Sequence, residues 1–439
     1  MRTTLAIRRE DKNRWERRTP LVPADVRRLV DEGLRVLVEP SDLRIYDDAS
    51  YRAAGAELTD DLSPADVVFA VKEIPAERIH PDKTYAFFAH VIKGQEHNMP
   101  LLRHLLDQRA TLVDYELITD DRGRRLVLFG REAGQAGMID ALALLGKRWA
   151  HEGLDTPLTE LDAAYTYSDR AAAEAHLDTI AATWRRQPPQ LDAAAPFVVA
   201  IAGRGNAGQG AEQILDRLPV EEIAPADLPT LATRAAGVTD RIFKVVLRRE
   251  HLFRPTAGGA YDAAEYSQHP DRYTGALVDL LPHITVLMSC IFWAPEYPRL
   301  FTRADARQLW QSGARKLRLI GDVTCDIDGA FETTYRATSP DAPAYVFDPE
   351  HDTFRDDVDA SGILILAVDN LPCELPRDAS DQFSRALSPF VPALVRADYQ
   401  QPYEALGLPA EVQRALITHR GDLAPDHAHL AQAMADALG

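Results

Sequence analysis

Phe197–Ala202 (FVVAIA) is an apolar run of strand length. Gly203-Arg204-Gly205-Asn206-Ala207-Gly208 follows at once, and Ala211, Ile214, Leu215 and Leu218 then share one helical face. This strand, glycine loop and helix constrain the fold more than any other stretch. Two glycines permit a tight turn and close backbone approach, and a third lets helix lie against strand. The helix amino terminus then faces any anion held in the loop. The setting reads as a dinucleotide site; a glycine turn without a ligand is the alternative. The acidic residue expected about 20 positions on is Asp227, which would meet a ribose hydroxyl and favour NAD. Asp227 equally suits a helix cap ahead of Leu228-Pro229, and Arg234 nearby would suit a 2′-phosphate.

The rest of the chain repeats the strand–helix alternation. Leu5–Ile7, Arg35–Glu39, Val67–Val71, Tyr85–Ala89 and Ala110–Val113 read as strands. Val22, Val26, Leu29 and Val30 form a helical face that Pro23 can start and Gly33 can stop. A polar, alanine-rich stretch, Leu154–Ala195, separates this part from a second series: Phe197–Ala202, Thr285–Met288, Leu317–Ile320 and Gly362–Val368. Thr230–Gly275, charged and aromatic with weak periodicity, reads as an insertion rather than sheet core. The expectation is an α/β protein with mostly parallel sheets.

Length and charge agree with this. At roughly 150 residues per domain, 439 residues suggest two or three domains with a cleft between them. The 67 acidic and 49 basic side chains give a net charge of −18, which argues against nucleic acid or an anionic membrane as partner. Cys290, Cys325 and Cys373 lack metal-finger spacing, so neither structural zinc nor a disulfide framework is expected. The opening MRTTLAIRRED lacks an apolar signal core, and Gly362–Val368, the longest clean apolar run, is too short to span a bilayer. These features point to a cytoplasmic chain.

Lys72 follows the third apolar run, His90 the fourth, and Glu116 lies just past the fifth. One charge after a strand marks a return to solvent. Three at one sheet edge, a Lys and a His among them, point to a ligand cleft capable of proton transfer. Arg8, Arg9, Lys12, Arg14, Arg17 and Arg18 form either a solvated basic turn or, through Arg18, a carboxylate clamp. Arg124 and Arg125 offer a second clamp, although a hairpin turn at Arg122-Gly123 explains that stretch equally well.

Several long motifs resemble one family. IRREDKNRWERRTPLVP, VKEIP around Lys72 and TYAFFAHVIKGQ around His90 look like the amino-terminal domain shared by lysine-forming saccharopine dehydrogenases and alanine dehydrogenases. DYELITDDRGRRLVLFGREAGQAGMID and VDNLPCELPRDAS narrow this to the saccharopine branch. YDAAEYSQHPDRY, followed by IFWAPEYPRLFTRADA, is similar to the lysine–ketoglutarate reductase half of the bifunctional lysine-degrading enzyme.

The resemblance implies two Rossmann-like domains separated by a cleft. A substrate-binding domain would cover 1–135 plus 371–439, and a dinucleotide-binding domain 136–370, with its insertion near 230–275. Hinges would lie near Gly134–Gly137 and Leu371–Pro372, and late helices including PAEVQRALI and AHLAQAMADAL would pack on the first domain. The implied reaction is the reversible NAD(P)H-dependent condensation of lysine with 2-oxoglutarate to saccharopine. NADP(H) is the favoured cofactor, NAD(H) stays open, and no metal is implied.

In this reading Lys72 and His90 are the acid–base pair. Glu16 neighbours and tunes the lysine, and Arg18, Glu116 and Arg125 bind substrate. Gly203, Arg204, Gly205, Asn206, Gly208, Gly210, Asp227, Asp322 and Asp369 belong to the cofactor side. The chain stops at Gly439 without the saccharopine-oxidising domain of the bifunctional enzyme, which implies a separate enzyme for that step. The rivals are an alanine dehydrogenase-like or opine-type enzyme using another amine and 2-oxo acid, and a non-catalytic nucleotide-binding regulator.

Overall fold

The computed structural model describes residues 3–191 and 196–439. The chain forms two compact units, Met1–Phe129 with Pro376–Gly439, and Gly130–Leu375. Among the described residues each unit holds one eight-stranded, mostly parallel sheet.

In the first unit the strands are β1 (Thr4–Ile7), β2 (Arg35–Val38), β3 (Glu57–Leu58), β4 (Val67–Phe69), β5 (Thr84–Phe87) and β6 (Thr111–Asp114). They run in the order β6-β5-β4-β1-β2-β3, all parallel. Every residue of β4, β5 and β6 is buried, which is why these strands read as unbroken apolar runs. The helix Pro23–Asp31 buries Val26 and Leu29, and Gly33, at φ +86°, takes the left-handed turn that ends it. After Pro376 the chain returns and adds strand Leu416–His419 antiparallel to β6. The expected helix PAEVQRALI is thus only partly helical, at Ala410–Gln413; Leu416 and Ile417 are strand, and both are fully buried.

The second unit contains β7 (Val198–Ala202), β8 (Val220–Ile223), β9 (Ile242–Leu247), β10 (Phe253–Pro255), β11 (Tyr273–Gly275), β12 (Val286–Ser289), β13 (Leu319–Asp322), β14 (Ala344–Asp348), β15 (Thr353–Arg355) and β16 (Ile363–Leu366). Strands β10 and β11 form a separate antiparallel ribbon. The others are ordered β15-β14-β16-β13-β12-β7-β9-β8, with β14 antiparallel to both of its neighbours, β15 and β16. Alternate residues of β7 feed two cores: Val199 and Ile201 on one face, Val198, Ala200 and Ala202 on the other.

Strand β9 corrects the insertion reading of Thr230–Gly275: Ile242–Leu247 pairs in parallel along the whole of β7. Charged neighbours and Lys244 obscured an otherwise apolar run. Lys244 is only 5% exposed, and its ammonium is held by Asp216 at 2.8 Å, Glu222 at 3.1 Å and Glu212 at 3.7 Å.

One stretch gains an element and one expectation changes. The stretch Leu154–Ala195 contains the helix Arg170–Arg186, whose Asp169 caps the Ala172 N–H at 2.9 Å; residues 192–195 lie outside the described residues. Gly134–Gly137, expected as a hinge, lies inside the long helix Gly130–His151. Its glycine is a packing residue, because a Cβ on Gly134 would stand 1.7 Å from the Ala207 carbonyl oxygen. A Cβ on Gly210 would stand 2.0 Å from the Arg131 oxygen, so two helix backbones touch where side chains would separate them. Among the described residues no helix is long and apolar enough to cross a membrane.

Candidate functional site

The carboxyl ends of β1, β4, β5 and β6 deliver one set of ionisable side chains within the first unit. Lys72 and His90 each come three residues after their strand, and Glu116 two after β6. Burial pulls the Lys72 ammonium below its ordinary value, reinforced by Arg18 and Lys12 and opposed by Glu16 and Glu73. Burial, then Lys72, likewise lowers His90. The imidazole lies 3.7 Å from Glu73 through Nε2 and 4.0 Å from Glu116 through Nδ1. His90 also holds a left-handed φ of +54°, a conformation that costs a β-carbon residue energy and recurs at functional sites.

Glu16 and Arg18 are both buried. Arg18 donates to the two oxygens of Glu16 at 2.8 and 2.6 Å, and its guanidinium covers the Phe129 ring at 4.2 Å. This differs from the expected open clamp, because the guanidinium fork is filled from within. Arg125 is half exposed and contacts Glu116, returning from the turn around Gly123 through a bridge between Thr119 and Arg125. The basic cluster is also largely neutralised: Arg8 meets Asp11, Arg9 meets Glu39 and Asp60, and Lys12 meets Glu73 at 3.0 Å.

Three carboxylates here escaped the sequence reading. Burial pushes Glu73 up, yet Lys12 and His90 outweigh it and hold the group below its ordinary value. Its adjacency to Lys72 was the available signal. Glu10 and Asp114 act on backbone instead. Glu10 accepts from the Val71 and Lys72 N–H groups at 2.6 and 3.0 Å. Asp114 accepts from the Glu116 and Ala89 N–H groups at 2.9 and 3.2 Å. Each carboxylate thus staples the backbone at or beside one of the strand-end groups. Burial raises both to about 7, with Glu16 adding to the effect on Glu10 and Glu116 to that on Asp114.

In Glu10→Gln and Asp114→Asn an amide N–H replaces one acceptor, so one backbone N–H in each staple is left unpaired. Each variant should lose about 1–3 kcal/mol of stability, read as a lower urea midpoint. A midpoint unchanged in both would remove the staples from this account.

In the second unit the glycine loop joins β7 to the helix Asn206–Leu215, with Gly205 at the cap and Arg204 and Asn206 exposed. Gly203 needs its hydrogen: φ is +106°, and a Cβ would sit 2.7 Å from the Cys290 oxygen. Gly208 would meet the Gly203 oxygen at 2.1 Å. Gly205 has an ordinary φ of −71° and nothing within 4 Å of its missing Cβ. The fold does not require glycine there, whereas a pyrophosphate approaching the backbone does. The residues present therefore fit a dinucleotide. Gly205→Ala should keep stability within about 1 kcal/mol of wild type while weakening dinucleotide binding in a fluorescence titration; unchanged affinity would contradict this reading of the open cradle.

Three expected cofactor residues sit differently from one another. Asp369 is exposed past β16. Asp322, at the end of β13, is 1% exposed and accepts from Thr324 and Thr334 hydroxyls at 2.9 and 2.8 Å, which makes its carboxylate a structural tie. Burial lifts it to about 6, against those two bonds. Asp227 is corrected. It lies in the turn beyond β8, bonded to the Ala224 N–H and to Arg234, both at 3.3 Å. Because β9 separates β8 from β7, that turn follows the sheet's edge strand, roughly 10 Å across two strand spacings from the loop strand. Among the described residues no group of three or more His, Cys, Asp or Glu is placed to hold a metal ion.

Comparison with known proteins agrees with this architecture. Residues 6–136 match the model of the alanine dehydrogenase/PNT N-terminal domain. The chain is 37% identical to an alpha-aminoadipic semialdehyde synthase of Arabidopsis thaliana over 95% of its own length, and spans 40% of that protein. It is 28% identical to a saccharopine dehydrogenase [NAD(+), L-lysine-forming] of Yarrowia lipolytica, over 90% of this chain and 93% of that one. A solved L-alanine dehydrogenase shares the fold at a TM-score of 0.59 and 18% identity, covering 99% of this chain and 100% of that one. The chain is thus similar along most of its length to alpha-aminoadipic semialdehyde synthases, of which it spans less than half, and to lysine-forming saccharopine dehydrogenases, and its residues 6–136 match the alanine dehydrogenase/PNT N-terminal domain.

Proposed function

We propose that this chain is a lysine–2-oxoglutarate reductase, a lysine-forming saccharopine dehydrogenase that reversibly condenses L-lysine with 2-oxoglutarate using a nicotinamide cofactor, NADP(H) favoured. The observation that carries the reading is the delivery of Lys72 and His90, both with lowered proton affinity, to neighbouring strand ends in a chain 37% identical to an alpha-aminoadipic semialdehyde synthase.

The chemistry needs a base and an acid. Lys72, whose burial makes its ammonium give up a proton more readily than an ordinary lysine's, takes a proton from the substrate ε-ammonium, which frees the amine to attack the keto carbon. His90, as imidazolium, protonates the carbinolamine hydroxyl that leaves as water; its depressed proton affinity makes it the stronger donor. Glu73 and Glu116 keep the cationic forms of the pair within reach. Arg125, half exposed, is the carboxylate binder this reading retains. A bound cofactor supplies the hydride that reduces the imine carbon. The substrates are small anions and an amino acid, and the three free cysteines suit a cytoplasmic setting.

The test is a matrix of amines against 2-oxo acids with NADPH or NADH, followed at the nicotinamide absorbance band. Oxidation that requires lysine together with 2-oxoglutarate is expected. Activity with pyruvate and ammonia instead would replace this reading with an alanine dehydrogenase-like one, and dinucleotide binding without turnover on any pair would replace it with a regulator.

A further inference from the structure

In the usual nucleotide-binding order, the strand that follows the glycine loop in sequence lies beside the loop strand. The residue at its carboxyl end then meets the adenosine ribose. Here the next strand, β8, is displaced to the edge, and β9 occupies the place beside β7. Leu247 of β9 stands opposite Ala202, and the Gly203 N–H donates to the Leu247 carbonyl at 2.9 Å. The residue that emerges next to the loop at the ribose position is therefore Arg248.

We propose that Arg248, with Arg204 of the glycine loop, forms the seat for the 2′-phosphate of NADP(H), so that cofactor choice is set by the intercalated strand β9. This rests on the nicotinamide-cofactor reading above. Both side chains are exposed and line two cavities at the loop, one of about 460 Å³ that also includes Gly203 and Gly205. Neither guanidinium has a carboxylate partner among the described residues.

Carboxylates do approach the second cavity, at Glu212 and Asp216. The buried Lys244 of β9 draws both toward itself, Asp216 at 2.8 Å and Glu212 at 3.7 Å. Strand β9 thus leads directly into the arginine and holds two of the acids near it, which gives the lysine inside that strand a role; Glu250 also lines the first cavity. Asp227, the acid that would have selected a free ribose hydroxyl, is bonded to Arg234 beyond the edge strand.

The test uses the full chain and equilibrium binding, independent of turnover. NADPH and NADH are titrated by nicotinamide fluorescence, and adenosine 2′,5′-bisphosphate and 5′-AMP by calorimetry. A charge-assisted contact to a phosphate predicts that wild type binds NADPH about 10-fold or more tighter than NADH. Arg248→Ala should weaken NADPH and the bisphosphate by about 10-fold or more while leaving NADH and 5′-AMP within about three-fold. Arg204→Ala should move the same ligands in the same direction, and Arg248→Lys should recover part of the loss. Equal binding of the two coenzymes by wild type, or equal weakening of both in Arg248→Ala, would overturn the seat. A wild-type chain that binds neither coenzyme would overturn the cofactor reading itself, and the seat with it.

Discussion

Replacing Lys72 by Met or His90 by Ala is expected to lower turnover of lysine with 2-oxoglutarate by about 10²–10⁴-fold each, the range for losing a positioned acid or base. The pH profile carries the finer expectation. Burial and Arg18 lower the Lys72 proton affinity, so kcat/KM should rise with pH through an ionisation below the ordinary lysine value of 10.5. That limb should vanish in Lys72→Met and stay absent in Lys72→Arg, because a guanidinium keeps its proton. The His90 ionisation should lie below the ordinary 6.5, with activity lost above it in the step that needs imidazolium. Both variants retaining turnover within a few-fold of wild type would dismiss the pair.

Gly210→Val and Gly134→Val should each prevent the second unit from folding normally. The added Cβ would lie 2.0 Å from the Arg131 oxygen in one and 1.7 Å from the Ala207 oxygen in the other. The obstructing atoms are backbone in two packed helices, so relief requires moving a whole helix. The expected loss exceeds about 4 kcal/mol, visible as insoluble protein or a collapsed thermal transition. Gly205→Ala, at the cap of the helix that carries Gly210, serves as the control, since nothing lies within 4 Å of its Cβ position. A Gly210→Val chain that melts cooperatively within about 3 °C of wild type would show that the helices can part cheaply.

The sheets were legible because parallel strands covered on both faces need continuous apolar sequence; Val67–Phe69, Thr84–Phe87 and Val198–Ala202 have no polar interruption except Thr84, which is itself buried. Strand β9 was missed because Lys244 breaks its pattern, and only the folded sheet reveals the three carboxylates that make the lysine tolerable. Strand-end placement of Lys72, His90 and Glu116 followed from sequence order. The work of Glu10 and Asp114 did not, because which amide a carboxylate meets depends on which strands are neighbours. Arg18 shows the limit of reading residue type alone: its fork was visible, but the internal partner two residues away had to be seen in place. Asp227 lay at the right sequence distance, yet one intercalated strand removed it from the loop's side.

The antiparallel pairing of Leu416–His419 with β6 sets an order of assembly. Chain emerges from the ribosome at roughly 5–20 residues per second, and domains fold as units. Gly130–Leu375 is therefore complete while the first unit still lacks its returning strand. During that interval β6 presents unpaired backbone groups along the edge that carries Asp114, the kind of edge that recruits other strands. The interior segment matures first, and the flanking unit waits for its returning strand before the open side of β6 is sealed.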